Sequence, residues 1–273
     1  MKTRKWIIYT VYGILITLAF LYLRFPSDSA GRYIRSIVAG SNPNIVLSFD
    51  SVRPSFPPGI RLHNLSVGFK GNPDSVLGAN VVKVRPALSG LLFGKLSLLL
   101  HADTYEGNMR ADIHFKNRFS TKGPVSIQNE FHNISLGKCS FIKAAAGRRV
   151  DGRLSGSLAY DGEWGRATSG TGSAKFTLLD GNIQLLKSLF GFDALVFDTV
   201  ETKLTLKNQT LEIIGLDIAG EQLRGSFTGN LFLNRDIIQS RLAIKGDIEI
   251  PALDRKFSTT LKGTVAKPIP RFE

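Results

Sequence analysis

Four histidines, one cysteine and 22 carboxylates are the residues from which this chain could build a reactive centre. His63, His101, His114 and His132 are scattered, with no H-x-x-x-H pair and no second cysteine beside Cys139 to complete a zinc site. His63 and His132 each adjoin an asparagine where turns are expected, and an imidazole there is simply solvated. Gly90-Leu-Leu-Phe-Gly94-Lys95 is one residue short of a phosphate-binding loop, and Leu96 stands where a hydroxyl would hold magnesium. No G-x-S-x-G elbow occurs, and Gly170-Thr-Gly172 lies in a strand pattern instead of between strand and helix. Asp193, Asp198, Glu201, Asp217 and Glu221 could gather on one edge, but carboxylates on a polar face are ordinarily solvated. Asn64-Leu-Ser66, Asn133-Ile-Ser135 and Asn208-Gln-Thr210 are glycosylation-type triplets, relevant only to a eukaryotic secretory setting. With no nucleophile, base or metal set assembled, the expectation is a protein that is not an enzyme, with no cofactor and no metal.

The elements that must position any site read as strands. Leu223–Leu233 places Leu223, Gly225, Phe227, Gly229, Leu231 and Leu233 on one face and mostly polar residues on the other. The same apolar–small–apolar face recurs at Tyr105–Phe115, Val150–Tyr160, Gly172–Leu178 and Leu242–Ile250. The chain is 43% hydrophobic with 27 glycines, which suits many strands and turns, and a single cysteine excludes an internal disulfide framework. The net charge of +13 is spread along polar strand faces, so no basic stripe with exposed aromatics marks a nucleic-acid partner.

Lys2, Arg4 and Lys5 fill a short N-terminal segment, residues 1–5, ahead of an uncharged run, residues 6–23. As a helix that run would extend about 27 Å, which predicts a single transmembrane helix with a cytoplasmic N-terminus and the bulk of the chain in the periplasm of a bacterial inner membrane. A cleaved signal is the alternative; the run is long for one, and Leu23-Arg24-Phe25-Pro26 is a poor cleavage site. Residues 24–43 form a juxtamembrane segment with an amphipathic helix over Ser27–Gly40, either covering the first sheet edge or acting as a spacer. Residues 44–273 form a β-rich domain with a weak internal boundary at 144–149. Within it a bulge or tight turn is expected between Leu62 and Leu65, a short helix or turn over Ile183–Phe190, and a hairpin around Lys207-Asn208-Gln209. Phe257–Val265 is expected as the last strand, stopped by Lys267-Pro268-Ile269-Pro270.

The fold class that follows is mainly β: an N-terminal helix, then an elongated antiparallel sheet with one or two short helices. Its apolar face must be sealed in a sandwich or barrel, or else line a gutter open to an apolar ligand. Small residues on that face favour the gutter, since they allow curvature and lateral room. The residues expected to line the trough are Gly107, Met109, Leu154, Gly156, Gly225, Phe227, Gly229, Leu231, Ile244, Gly246 and Ile248. Lipid acyl chains are the expected occupant, each buried methylene contributing about 0.8 kcal/mol, and the basic exterior suits anionic headgroups.

Several short stretches carry a resemblance. They are Leu23-Arg24-Phe25-Pro26, Ile45–Phe49, Val52-x-Pro54-Ser55 and Pro58-Gly59-Ile60-x-Leu62-x-Asn64-Leu65. Leu91-Leu92-Phe93-Gly94-Lys95, Tyr105-Glu106-Gly107 and Leu261-Lys-Gly-Thr-Val-x-x-Pro268 continue the series. In these the chain resembles the GspN family of type II secretion proteins, itself similar to the AsmA-like envelope proteins. The resemblance implies an AsmA-like curved sheet in an inner-membrane accessory of the secretion apparatus, with other envelope proteins as partners. An AsmA-type lipid carrier without a secretion role is the alternative it implies.

Overall fold

Side-chain alternation decides the architecture, because a long run of period two must find a ladder on each side. The computed structural model describes residues 2–41, 44–56, 58–70, 72–88, 90, 94–118, 120, 123–163, 166–189, 192–234, 239–251 and 255–272. Two helices, α1 (Lys2–Leu23) and α2 (Ser27–Ser41), precede the strands. Strands β1 (Ile45–Ser48), β2 (Ser51–Ser55), β3 (Gly59–Phe69), β4 (Asn72–Pro86), β5 (Lys95–Thr104), β6 (Gly107–Arg118) and β7 (Pro124–Ser135) follow. After a short turn of helix and α3 (Ser140–Ala146) come β8 (Val150–Glu163), β9 (Arg166–Leu189), β10 (Phe192–Lys207) and β11 (Thr210–Ala219). The chain closes with β12 (Arg224–Phe232), β13 (Arg241–Ile250), β14 (Arg255–Thr264) and β15 (Pro268–Phe272). All join one antiparallel sheet in the order of the sequence, β1 and β2 sharing β3 as their partner.

The expected transmembrane helix is corrected. Residues 6–23 are helical, but among the described residues no helix is long and apolar enough to cross a membrane. The described part of α1 interleaves aliphatic side chains with Trp6, Tyr9, Thr10, Tyr12, Gly13, Thr17 and Tyr22, and the two threonine hydroxyls donate to the Trp6 and Gly13 carbonyls. These hydroxyl and indole groups lower its apolarity.

Helix α2 lies over the apolar face of the first strands, with its Ala30 and Ile34, and Phe25 just before it, packed against the cluster of Val52, Leu62, Val82 and Ala102. Gly31 makes the approach possible: a Cβ there would stand 3.1 Å from the Phe49 ring, and the Arg35 guanidinium covers that ring at 4.6 Å. Between Leu62 and Leu65 there is no turn. Strand β3 runs through, and Asn64 takes a left-handed φ of 50°, which puts both leucines in the same core. Residues 183–189, expected as a helix or turn, continue β9 as strand, paired to β10. Residues 144–149 fall at the end of α3 and in its link to β8, while β7 and β8 pair directly.

The proline-rich end also differs from expectation. Pro268 and Pro270 do not stop the sheet; they belong to its edge strand β15, opposite Gly263 and Leu261. Thr264 and Lys267 exchange backbone hydrogen bonds at 3.3 and 3.1 Å. Alternation from that pair points the nitrogens of Pro268 and Pro270 away from β14, toward the open edge. The edge therefore lacks two donors that a further strand would need.

Candidate apolar trough

Ladder register converts the sequence pattern into rows that cross the sheet. One row runs Met109, Phe131, Gly156, Phe176, Thr202 and Leu216, then Phe227 and Gly246. Beside it lie Leu154, Leu178, Val200, Ile218, Gly225 and Ile248. On its other side a third row carries Leu158, Ala174, Leu204, Ile213, Gly229 and Ile244, and a fourth carries Leu206, Leu211, Leu231 and Leu242. Ten of the eleven expected lining residues thus share one face. Gly107, two residues before Met109 at the start of β6, has the same parity beyond these rows, and a Cβ there would meet the Asn133 carbonyl carbon at 2.7 Å.

Helix α2 seals one end of this face. Under α2 the side chains of Val52, Leu62, Val82 and Ala102 are buried, whereas the four rows from β7 to β13 are mostly half-buried and Leu158 is 38% exposed. The chain presents 18172 Å² to solvent at a mass of 29.9 kDa, against about 11,700 Å² for a compact monomer of that mass. A helix standing off the sheet and a sheet of one layer both raise exposed area above that of a compact monomer. A pocket of about 340 Å³ lies on it, lined by Ile127, Leu158, Tyr160, Ala174, Leu204 and Leu206 among others. Burial holds the Tyr160 phenol above its usual range.

The glycines do something other than leave room. A Cβ on Gly156 would stand 2.8 Å from the Phe176 ring and 3.0 Å from the Phe131 ring, and one on Gly246 would be 2.5 Å from the Phe227 ring. The phenylalanines lean along the sheet and lie over the glycines of neighbouring strands. Gly156 and Gly246 lie beside rings and, more closely still, against the carbonyls of Lys175 and Ser226, so the open volume beside them is bounded by leucines, isoleucines and ring faces.

The residues scanned for chemistry stay dispersed. His63 and His132 lie in β3 and β7, not in turns. His114 Nδ1 is 2.8 Å from Ser97 Oγ, and His101 Nε2 is 3.5 Å from the Asp103 carboxylate. Among the described residues no group of three or more His, Cys, Asp or Glu could hold a metal ion. Glu201 and Asp217 do meet, directly opposite one another, with Ser226 donating to Asp217 at 2.6 Å. Asp193 and Asp198 lie elsewhere along β10 and Glu221 follows β11. Residues 91–93 of the phosphate-loop-like stretch lie outside the described residues. The glycosylation-type asparagines have a conformational explanation: Asn64, Asn133 and Asn208 all take left-handed φ, of 50°, 57° and 49°, where asparagine is the favoured residue after glycine.

One feature escaped sequence reading. Arg53 faces Arg61, Arg61 faces Lys83, Lys83 faces His101 and His101 faces Arg110, on the side of the sheet away from the trough. Cations 8 to 22 residues apart in sequence become cross-strand neighbours only once register is known.

Fold and site define a single-layer antiparallel meander with one apolar and one charged face. Comparison with family models, with curated proteins and with solved structures gave no match.

Proposed function

We propose that the chain is a non-enzymatic carrier that cradles acyl chains, or a partner's apolar segment, on the face spanning β7 to β13. The observation that carries this reading is the run of half-buried leucine and isoleucine rows beside an end that α2 already seals. Burying each methylene there contributes about 0.8 kcal/mol, so an acyl chain gains affinity with length and needs no reactive group. Six inter-strand steps give this stretch a length of about 29 Å. The resemblance to GspN supports an accessory role in the type II secretion apparatus, in the bacterial envelope. The continuous sheet supports, equally, an AsmA-type carrier with no secretion role. Genes for a secretin and pseudopilins beside this one favour the first, and their absence the second.

Native mass spectrometry of the full chain tests the cargo. Lipid should co-purify, and replacing Leu158 and Leu204 with Asp should abolish its retention while the circular dichroism stays that of a sheet. An empty wild-type protein that also takes up no fatty acid on titration sinks the carrier reading.

A further inference from the structure

The cationic row runs against the energetics of a sheet. Like charges directly opposite each other in a sheet are destabilising, yet Arg53, Arg61 and Lys83 stand in line on adjacent strands, and the line continues through His101 to Arg110, five strands and about 19 Å at the usual strand spacing. Arg85 adds a further charge on the same face. Three carboxylates adjoin the row: Asp103 contacts His101, Glu130 faces Arg110, and Asp112 lies one row away. Among the described residues none of them forms an ion pair with Arg53, Arg61, Lys83 or Arg110, and Arg61 Nε is buried without a hydrogen-bond partner.

Two exposed apolar side chains sit beside this row. Phe56, in the β2–β3 connection, is 87% exposed, and Leu88, after β4, is 50% exposed. In an antiparallel meander both connections leave the sheet at the same end, so the two tips flank the end nearest Arg53, Arg61 and Arg85. Cations that meet phosphate oxygens, beside apolar tips that enter the acyl boundary, form a surface for an anionic bilayer. Nucleic acid would want aromatic platforms along the row, and none of the cross-strand positions supplies one. A second copy is disfavoured by the net charge of +13 that each chain would bring.

We infer that the outer face of β2 to β6, with Phe56 and Leu88 at its rim, docks on the headgroups of an anionic phospholipid membrane. This surface lies opposite the trough and does not rest on what the trough holds. Each cation near such a surface strengthens binding about fivefold, so three together contribute about a hundredfold.

The test uses the full chain carrying Phe56→Trp, read as the fluorescence difference from wild type on mixing with phosphatidylglycerol or phosphatidylcholine vesicles. Emission from position 56 should shift to the blue on phosphatidylglycerol alone and return on adding salt. Adding Arg53→Gln, Lys83→Gln and Arg110→Gln should weaken the response about a hundredfold. Removing three cations at the far end, by Lys245→Gln, Lys262→Gln and Arg271→Gln, should leave it within a few fold. Equal shifts on both lipids, no shift on either, or equal losses from the two triple variants overturn the proposal. So does tight binding of polyglutamate to the row with no shift on vesicles, which would assign the face to an acidic protein segment.

Discussion

Gly225 and Gly246 flank the same ring, Phe227, from adjacent strands, and the geometry separates what an added methyl costs at each. Neither has a left-handed φ, so conformation is not the difference. At Gly225 a Cβ would stand 3.0 Å from Phe227 Cε2 and 3.0 Å from the Asp247 carbonyl oxygen. The ring end can swing, the carbonyl at 3.0 Å needs to yield only a few tenths of an ångström, and the loss of unfolded-state freedom returns about 0.4–1 kcal/mol. Gly225→Ala should therefore change stability by less than about 1 kcal/mol. At Gly246 the new atom would meet the Ser226 carbonyl and stand 2.8 Å from Phe227 Cα. That is ladder backbone, which moves only with its strand, and overpacking of this kind costs about 1–3 kcal/mol. Urea unfolding of the two variants should show a lower midpoint for Gly246→Ala at an unchanged slope. Combining it with Phe227→Ala should leave most of the loss, because the carbonyl and Cα remain. Equal midpoints for the single variants, or a weaker Gly225→Ala, would refute the claim that backbone approach, and not ring contact, makes glycine necessary.

Other perturbations follow from the same structure. Burial raises the Tyr105 phenol, more than the Gly78 amide hydrogen bond at 2.6 Å lowers it, and burial raises Tyr160. The unfolded chain then releases these protons first, near pH 10, so stability should fall as pH rises above about 10; Tyr160→Phe should lessen that fall, measured by thermal melts across alkaline pH. Gln209 holds a φ of 59° beside Asn208 in the β10–β11 hairpin, so Gln209→Gly should raise stability by about 0.5–1 kcal/mol in urea titrations. Replacing Pro268 and Pro270 together with Thr restores two outward donors, and sedimentation velocity should then show concentration-dependent association that wild type lacks.

Period-two alternation made the strands legible in the sequence, and the hairpin at 208–209 turns where the pattern breaks, whereas Tyr105 and Glu106, read as the start of a strand, form the β5–β6 turn. The trough face was legible for the same reason, since parity alone assigns a strand residue to a side. The seven residues 183–189 misled because their apolar spacing, Ile183, Leu185, Leu186 and Leu189, fits a helix as well as a buried strand. Pro268 and Pro270 misled because proline forbids an inner strand but not an edge, and edge position is a property of the whole sheet. The cationic row was invisible because register, not composition, aligns Arg53 with Arg110. The role of the glycines was hidden likewise: which ring lies over Gly156 depends on the two strands beside it.

Because each strand from β3 onward bonds only to its neighbours in the chain, with β1 and β2 both on β3, the molecule behaves as a ruler instead of a vault. It has no keystone, and its energetics approximate a sum over adjoining pairs, as in stacked repeats. Inserting or excising a whole hairpin beyond β8 would alter the apolar face by about 10 Å and leave the ladders on either side in place. The length of the apolar face is thus written directly in how many times the hairpin recurs.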